Sequence, residues 1–130
     1  VIALMFTAAA LGQPACYDRG GDLEIALCWK DEDEAVDKQL SAFWPDVLDA
    51  ARDSDRRFSA TQHKGKASAE SDLQTAQKNW LKWRESECFA RADWAQGGSQ
   101  ENIEFGQCYF DLTQQRLIDL KNLLGFFRDH

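Results

Sequence analysis

The residues best placed to do chemistry fall in one stretch, 77–120. Gln77, Trp80, Arg84, Cys88 and Arg91 recur there at intervals of three and four. On a helix, at about 100° per residue, they share an arc of roughly 80°. A disulfide from Cys88 to a neighbouring helix turns that arc inward and takes Arg84 with it. A buried guanidinium needs an acid or several carbonyls to offset its desolvation. Asp37 and Asp111 are the candidate acids, and Thr113 and Arg116 can join the same network. Two chemistries are open to such a group. One is an architectural Arg–Asp pair that fixes helix register; the other is an anion or ligand clamp built on Arg84 and Arg116.

Other constellations are thin. No Ser-His-Asp set, P-loop, HExxH or EF-hand pattern occurs. Glu85 and Glu87 lie two apart on a helix and point in different directions, which does not make a glycosidase pair. His63 and His130 are isolated and there is no CxxC, so neither a metal nor a cofactor is expected. An enzyme is the least favoured class. Of the five tryptophans, Trp29, Trp44 and Trp80 lie on or beside apolar stripes and read as core. Trp83 and Trp94 fall beside the hairpin arc, where an exposed aromatic is a candidate partner contact. The acidic run Asp31, Glu32, Asp33, Glu34 reads either as a solvated surface or as a contact for a basic partner. The net charge of −7 argues against nucleic acid and anionic membranes; acidity also serves solubility alone.

Four cysteines, Cys16, Cys28, Cys88 and Cys108, read as two disulfides in an exported chain. Three connectivities exist on paper. The sequential pairing is favoured because each bond then closes a short loop containing a Gly-Gly step. A continuous helix would hold Cys88 and Cys108 roughly 30 Å apart, whereas a disulfide needs Cα atoms within about 7 Å. If the two are bonded, the chain reverses at Gly97-Gly98 and Ser99 stands as N-cap of the returning helix. Residues 1–12 (VIALMFTAAALG) resemble the apolar core of a secretory signal peptide, with Ala10-Leu11-Gly12 as cleavage site and Gln13 as mature start. They are too short to span a bilayer; a helix retained on the domain is the alternative. Cys16 as a lipidated N-terminus is disfavoured by the polar residue and proline of Gln13-Pro14-Ala15.

The elements that position these residues are helical. Residues 13–21 form a loop, and Asp22 is a plausible N-cap for the first helix. An apolar stripe then recurs at helical spacing: Ile25, Trp29, Val36, Leu40, Phe43, Val47 and Ala51. The acidic run is expected to project into solvent or to break the helix locally, and Pro45 to kink or restart it after Trp44. Residues 59–71 read as a flexible connection. A second helix runs from Ser71 or Asp72 to about Ala95, and a third from about Gln100 to Phe127. The third is apolar over a wide arc. The expected class is all-α: residues 13–130 form one small bundle, a long first helix packed on a disulfide-locked antiparallel αα-hairpin.

The run Gln77-x-x-Trp80-x-x-x-Arg84-x-x-x-Cys88, then Gly97-Gly98-Ser99, Cys108, Thr113-x-x-Arg116 and Leu120, resembles the LprI-type lysozyme-inhibitor family. Many of its members are secreted proteins without an assigned function. The family typically opens with two cysteines about a dozen residues apart, as Cys16 and Cys28 are here. An Asp-x-x-Leu-Asn-x-x-Tyr pattern usually follows; here it starts at Asp37 and Leu40 but carries Ser41 and Trp44 in place of Asn and Tyr, with the unusual Pro45 next. The resemblance implies a small, exported, disulfide-bonded helical domain without enzymatic activity, periplasmic or secreted, that inhibits a lysozyme. The partner would be a basic muramidase or another exported protein. The candidate contacts are Asp31 to Glu34, Trp94, and Gly97, Gly98 and Ser99 of the turn.

Overall fold

The computed structural model describes residues 14–58 and 68–130. The apolar segment 1–12 and residues 59–67 of the expected connection lie outside the described residues. Among the described residues there are three helices: α1 (Asp22–Phe58), α2 (Ala69–Ala92) and α3 (Ser99–Asp129). Short 3-10 turns occupy Cys16–Asp18 and Asp93–Ala95. Contacts fix the helix directions. Ser99 meets Asp22 at one end of the α1–α3 pair, and Arg57 donates to the Phe127 carbonyl at the other. α1 and α3 are therefore parallel, and α2 returns antiparallel to both.

Disulfides join Cys16 to Cys28 and Cys88 to Cys108, each with Cα atoms 5.5 Å apart. The second locks the α2–α3 hairpin as the cysteine spacing predicts. The reversal itself differs in detail. The left-handed residues are Gln96 (φ 54°) and Gly97 (φ 79°), while Gly98 is extended and is the N-cap. Ser99 is the first helical residue; its hydroxyl donates to Asp22 Oδ2 at 2.8 Å and caps nothing. Asp22 likewise lies inside α1, since the Ile25 N–H closes the first helical bond on the Gly21 carbonyl.

α1 runs unbroken for 37 residues, through both the acidic run and Pro45. The step from Trp29 to Val36 is two helical turns, so the stripe stays in phase across the acids. Asp31 and Glu34 are exposed; Glu32 and Asp33 are half-buried. Pro45 is exposed, and so is Ser41, whose carbonyl loses its intrahelical donor and stays open to water. Leu40 and Val47, one on each side of the proline, are buried in one cluster with Leu117 and Leu120. Burial of such side chains, about 1.5–3 kcal/mol each, offsets the proline's cost of roughly 3 kcal/mol.

α2 begins two residues earlier than its apolar pattern suggests. Ser68 and Ser71 form a reciprocal capping box. Asp55 of α1 accepts from the backbone N–H of Ala69 (2.8 Å) and of Glu70 (3.0 Å). An acid from the neighbouring helix thus satisfies free donors at the positive end of α2.

The core divides in two. One cluster gathers Leu40, Val47, Ala50, Ala51, Leu73, Leu117, Leu120 and Phe127. The other, by the first disulfide, gathers Cys16, Ile25, Trp29, Val36, Ile103 and Phe110. α2 supplies one large aliphatic side chain, Leu73; its other buried residues are Gln77, Arg84, Cys88 and Ala92. Arg91, at the edge of the expected inward arc, is exposed and pairs with Glu87. α1 and α3 approach closely at Gly106, where an added Cβ would lie 2.6 Å from Trp29 Cβ. Trp29 is 1% exposed and cannot yield. Gly106→Ala should therefore destabilise by about 1–3 kcal/mol despite the better helix propensity of alanine. Gly125→Ala, with nothing within 4 Å of the new carbon, should stabilise by up to about 1 kcal/mol. Thermal unfolding of the two variants checks this, and an unchanged or raised midpoint for Gly106→Ala would count against the close approach.

Candidate functional site

Two side-chain assemblies meet in the middle of the bundle and share Asp37 and Tyr109. The first is buried. Arg84 enters from α2 with 8% of its side chain exposed. Its Nη1 donates to Asp37 Oδ1 at 2.7 Å and to Thr113 Oγ1 at 2.9 Å. The Tyr109 hydroxyl donates to the other Asp37 oxygen at 2.6 Å, and the Thr113 hydroxyl donates to the Tyr109 carbonyl at 2.7 Å. The guanidinium lies 3.8 Å from the Tyr109 ring centroid and 4.8 Å from that of Trp80. Such placement over aromatic faces favours a cation withdrawn from water. Arg116 extends the layer: its Nε donates to Gln77 Oε1 at 2.9 Å, and burial lowers its pKa against the opposing pull of Asp119. Burial first, and then the bond to Asp37, raise the Tyr109 pKa.

All three helices thus contribute to one polar layer between the two apolar clusters. Asp37, Gln77, Trp80, Arg84, Thr113 and Arg116 come together there. The acid on Arg84 is Asp37; Asp111 is half-buried on α3, where its charge acts on Asp33 and Tyr17. Tyr109 is the member that sequence reasoning missed. The one signal for it was its position four residues before Thr113 and seven before Arg116, on the same face of α3.

The second assembly is open. Between α1 and α3 lies a cleft of about 450 Å³, lined by Leu23, Leu27 and Phe105 together with Lys30, Asp33, Asp37 and Tyr109. Leu23 and Leu27 are exposed although large and apolar. The Phe89 ring backs Phe105 at 4.9 Å between centroids. Asp33 Oδ1 is buried and makes no hydrogen bond among the described residues. Burial, and then the charge of Asp37, push the Asp33 carboxyl up to about 8, with Arg84 opposing in part.

The acidic run is therefore divided. Asp33 and Glu34 line this cleft, whereas Asp31 and Glu32 line a separate shallow pocket with Arg19 and Glu24. Trp94 is 64% exposed in the 3-10 turn before Gly97 and Gly98. Ser99 ties that turn to α1, and Asn102 beyond it reaches the cleft. Among the described residues, no group of three or more His, Cys, Asp or Glu could hold a metal ion, and no helix is long and apolar enough to cross a membrane.

These features define a disulfide-stapled all-α domain whose buried polar groups bond chiefly to one another and whose open cleft is mainly apolar, with three carboxylates and one lysine on its lining. The model of the lysozyme inhibitor LprI family matches residues 15–120, and the chain belongs to that family. An uncharacterized protein of Rhizobium meliloti (strain 1021) is 27% identical over 112 residues, covering 86% of this chain and 80% of the relative. No solved structure matches.

Two predictions follow from this geometry. Arg84→Ala takes the guanidinium donor from Thr113 and from Asp37, which keeps its bond from Tyr109, and should destabilise by about 3 kcal/mol, the low end for breaking a buried pair, because Asp37 keeps 39% of its side chain in water. Chemical denaturation measures it, and a loss within experimental error of zero would show the pair to be dispensable. For Asp33 the sign runs opposite to the usual carboxylate. The folded chain keeps the proton up to about pH 8, whereas the unfolded chain releases it near the ordinary aspartate value of 3.8. Between those limits the folded state binds more protons, so this group's contribution to stability falls as pH rises. Asp33→Asn should gain on the wild type as pH is raised from about 4 to about 8; a constant difference across that range would refute the assignment.

Proposed function

We propose that this domain is a non-enzymatic protein inhibitor of a lysozyme or related muramidase, acting after export into an oxidising compartment, periplasmic or secreted. The observation that carries this reading is the family match over residues 15–120. Both disulfides fit an oxidising environment. Muramidases are commonly basic, and a net charge of −7 gives steering and complementarity toward such a surface. The contact surface we assign is the end of the bundle bearing the cleft, with Asp33, Glu34, Leu23 and Leu27, and the neighbouring turn with Trp94, Gly97, Gly98 and Ser99.

The small-anion reading of Arg84 and Arg116 draws little support from the geometry. Arg84 Nη1 serves Asp37 and Thr113, Arg116 Nε serves Gln77, and the Asp37 carboxylate lies against the Arg84 guanidinium, although Arg84 Nε and Arg116 Nη2 are buried without a hydrogen bond among the described residues. A second reading, an interaction module for some other exported protein, is favoured by the exposed Leu23, Leu27, Phe89 and Trp94, which suit any apolar partner surface.

Turbidity clearing of bacterial cell walls by several lysozyme classes, with and without the purified oxidised protein, tests the first reading. We expect dose-dependent slowing of at least one class, weakening as salt is raised because surface charge attraction is screened. No slowing of any class at large molar excess would reject it, and recovery of a non-muramidase partner from exported proteins would favour the second.

A further inference from the structure

We propose that the α1–α3 cleft receives a single lysine or arginine side chain of a basic partner protein, its aliphatic stem between Leu23, Leu27 and Phe105 and its charged head at Asp33. Leu23 and Leu27 on the lining are exposed while the Asp33 Oδ1 atom is buried, so apolar surface meets the stem before the carboxyl meets the head, the order in which such a side chain changes character. Asp33 lines the cleft and its buried Oδ1 makes no hydrogen bond among the described residues, so a turn of the carboxyl would offer an arriving N–H donor an acceptor that nothing else in the described structure serves. Phe105 and Tyr109 add aromatic surface to the lining, which attracts cations. Small anions are opposed by Asp33, Glu34 and Asp37, which outnumber Lys30, the one cation among the described residues of the lining, and an uncharged apolar ligand would leave Oδ1 unserved.

The site also carries a pH dependence. Asp33 is faced by Glu32 and Asp37 of its own helix, by Arg84 of α2 and by Asp111 and Tyr109 of α3. Burial and the neighbouring carboxylates, Asp37 first, hold its proton up to about pH 8, with Arg84 opposing them. A bound cation favours the ionised carboxylate, so binding releases a proton at neutral pH and tightens as pH rises toward that value.

This inference rests on the inhibitor reading only in taking the partner to be a basic protein; the cleft's own preference is measurable without it. The probe is N-acetyl-arginine methylamide, titrated into the isotope-labelled, oxidised full chain and followed by amide chemical shifts, with N-acetyl-norleucine methylamide as the uncharged control. We expect saturable shifts at residues lining the cleft with the arginine probe alone, and affinity about tenfold lower in Asp33→Asn, the worth of one charge-assisted bond. The variant's thermal midpoint reports that it is folded. Absence of saturable shifts, an equal response to norleucine, or unchanged affinity in Asp33→Asn each overturns the proposal. With a lysozyme that the wild type inhibits, Asp33→Asn should raise the inhibition constant by a similar factor; an unchanged constant overturns the proposal and leaves the inhibitor reading standing. If the wild type inhibits no lysozyme, that reading falls, and the arginine titration alone decides the cleft.

Discussion

The desolvation of one guanidinium organises this bundle. Arg84 is carried into the interior by the α2 face that also bears Gln77 and Cys88, and a cation in that position is tolerable only if other helices meet it with oxygen and π-electron density. Asp37 of α1 and Thr113 of α3 supply the oxygens, while Trp80 and Tyr109 supply the rings. These requirements are directional in a way that apolar contact is not. They set the rotation of α2 about its axis and its height along the other two helices. A slip of α2 by one residue would swing Arg84 off Asp37 and bring Glu85 toward the interior. The polar layer thus fixes register where the apolar clusters on either side mainly supply cohesion.

This division explains the unequal character of the helices. α1 and α3 carry most of the buried apolar side chains and run parallel in close contact, with Gly106 allowing Trp29 to seat. α2 is attached by other means. Its start is held by the Asp55 carboxylate, its middle by Arg84 and Gln77, and its end by the Cys88–Cys108 bond. A helix with one large buried aliphatic residue would be marginal on hydrophobic burial alone, and these three attachments are spread along its length.

Much of this was legible in the sequence because cysteines convert separation along the chain into separation in space. Once Cys88 and Cys108 are bonded, the hairpin, the inward arc and the burial of Arg84 follow from helix geometry. What escaped depended on partners distant in sequence. Ser99 has the composition of an N-cap, but its hydroxyl finds Asp22, 77 residues away, and an extended Gly98 takes the cap position. The acidic run looked like a helix breaker, yet the stripe resumes in phase two turns later. Pro45 looked like an interruption, but it faces water. Tyr109 and Gly106 acquire their roles only from the register of α1 against α3, which no local pattern reports. The cleft was half visible: Leu23 and Leu27 stand off the main stripe, a hint of a second apolar face.

Both disulfides are local. One joins Cys16 to Cys28 beside and within α1, the other joins the two arms of the hairpin, and neither crosses residues 59–67. Proteolysis at the diglycine turn would leave its two products covalently tethered, and the domain in one piece. A cut within 59–67 would divide the chain into an α1 fragment and a hairpin fragment, each keeping its own cystine, held together by packing, the Arg84 layer and the polar contacts that Asp22, Asp55 and Arg57 make with the hairpin. The covalent staples therefore guard the tip of the hairpin, and the integrity of the whole passes to one unstapled joint.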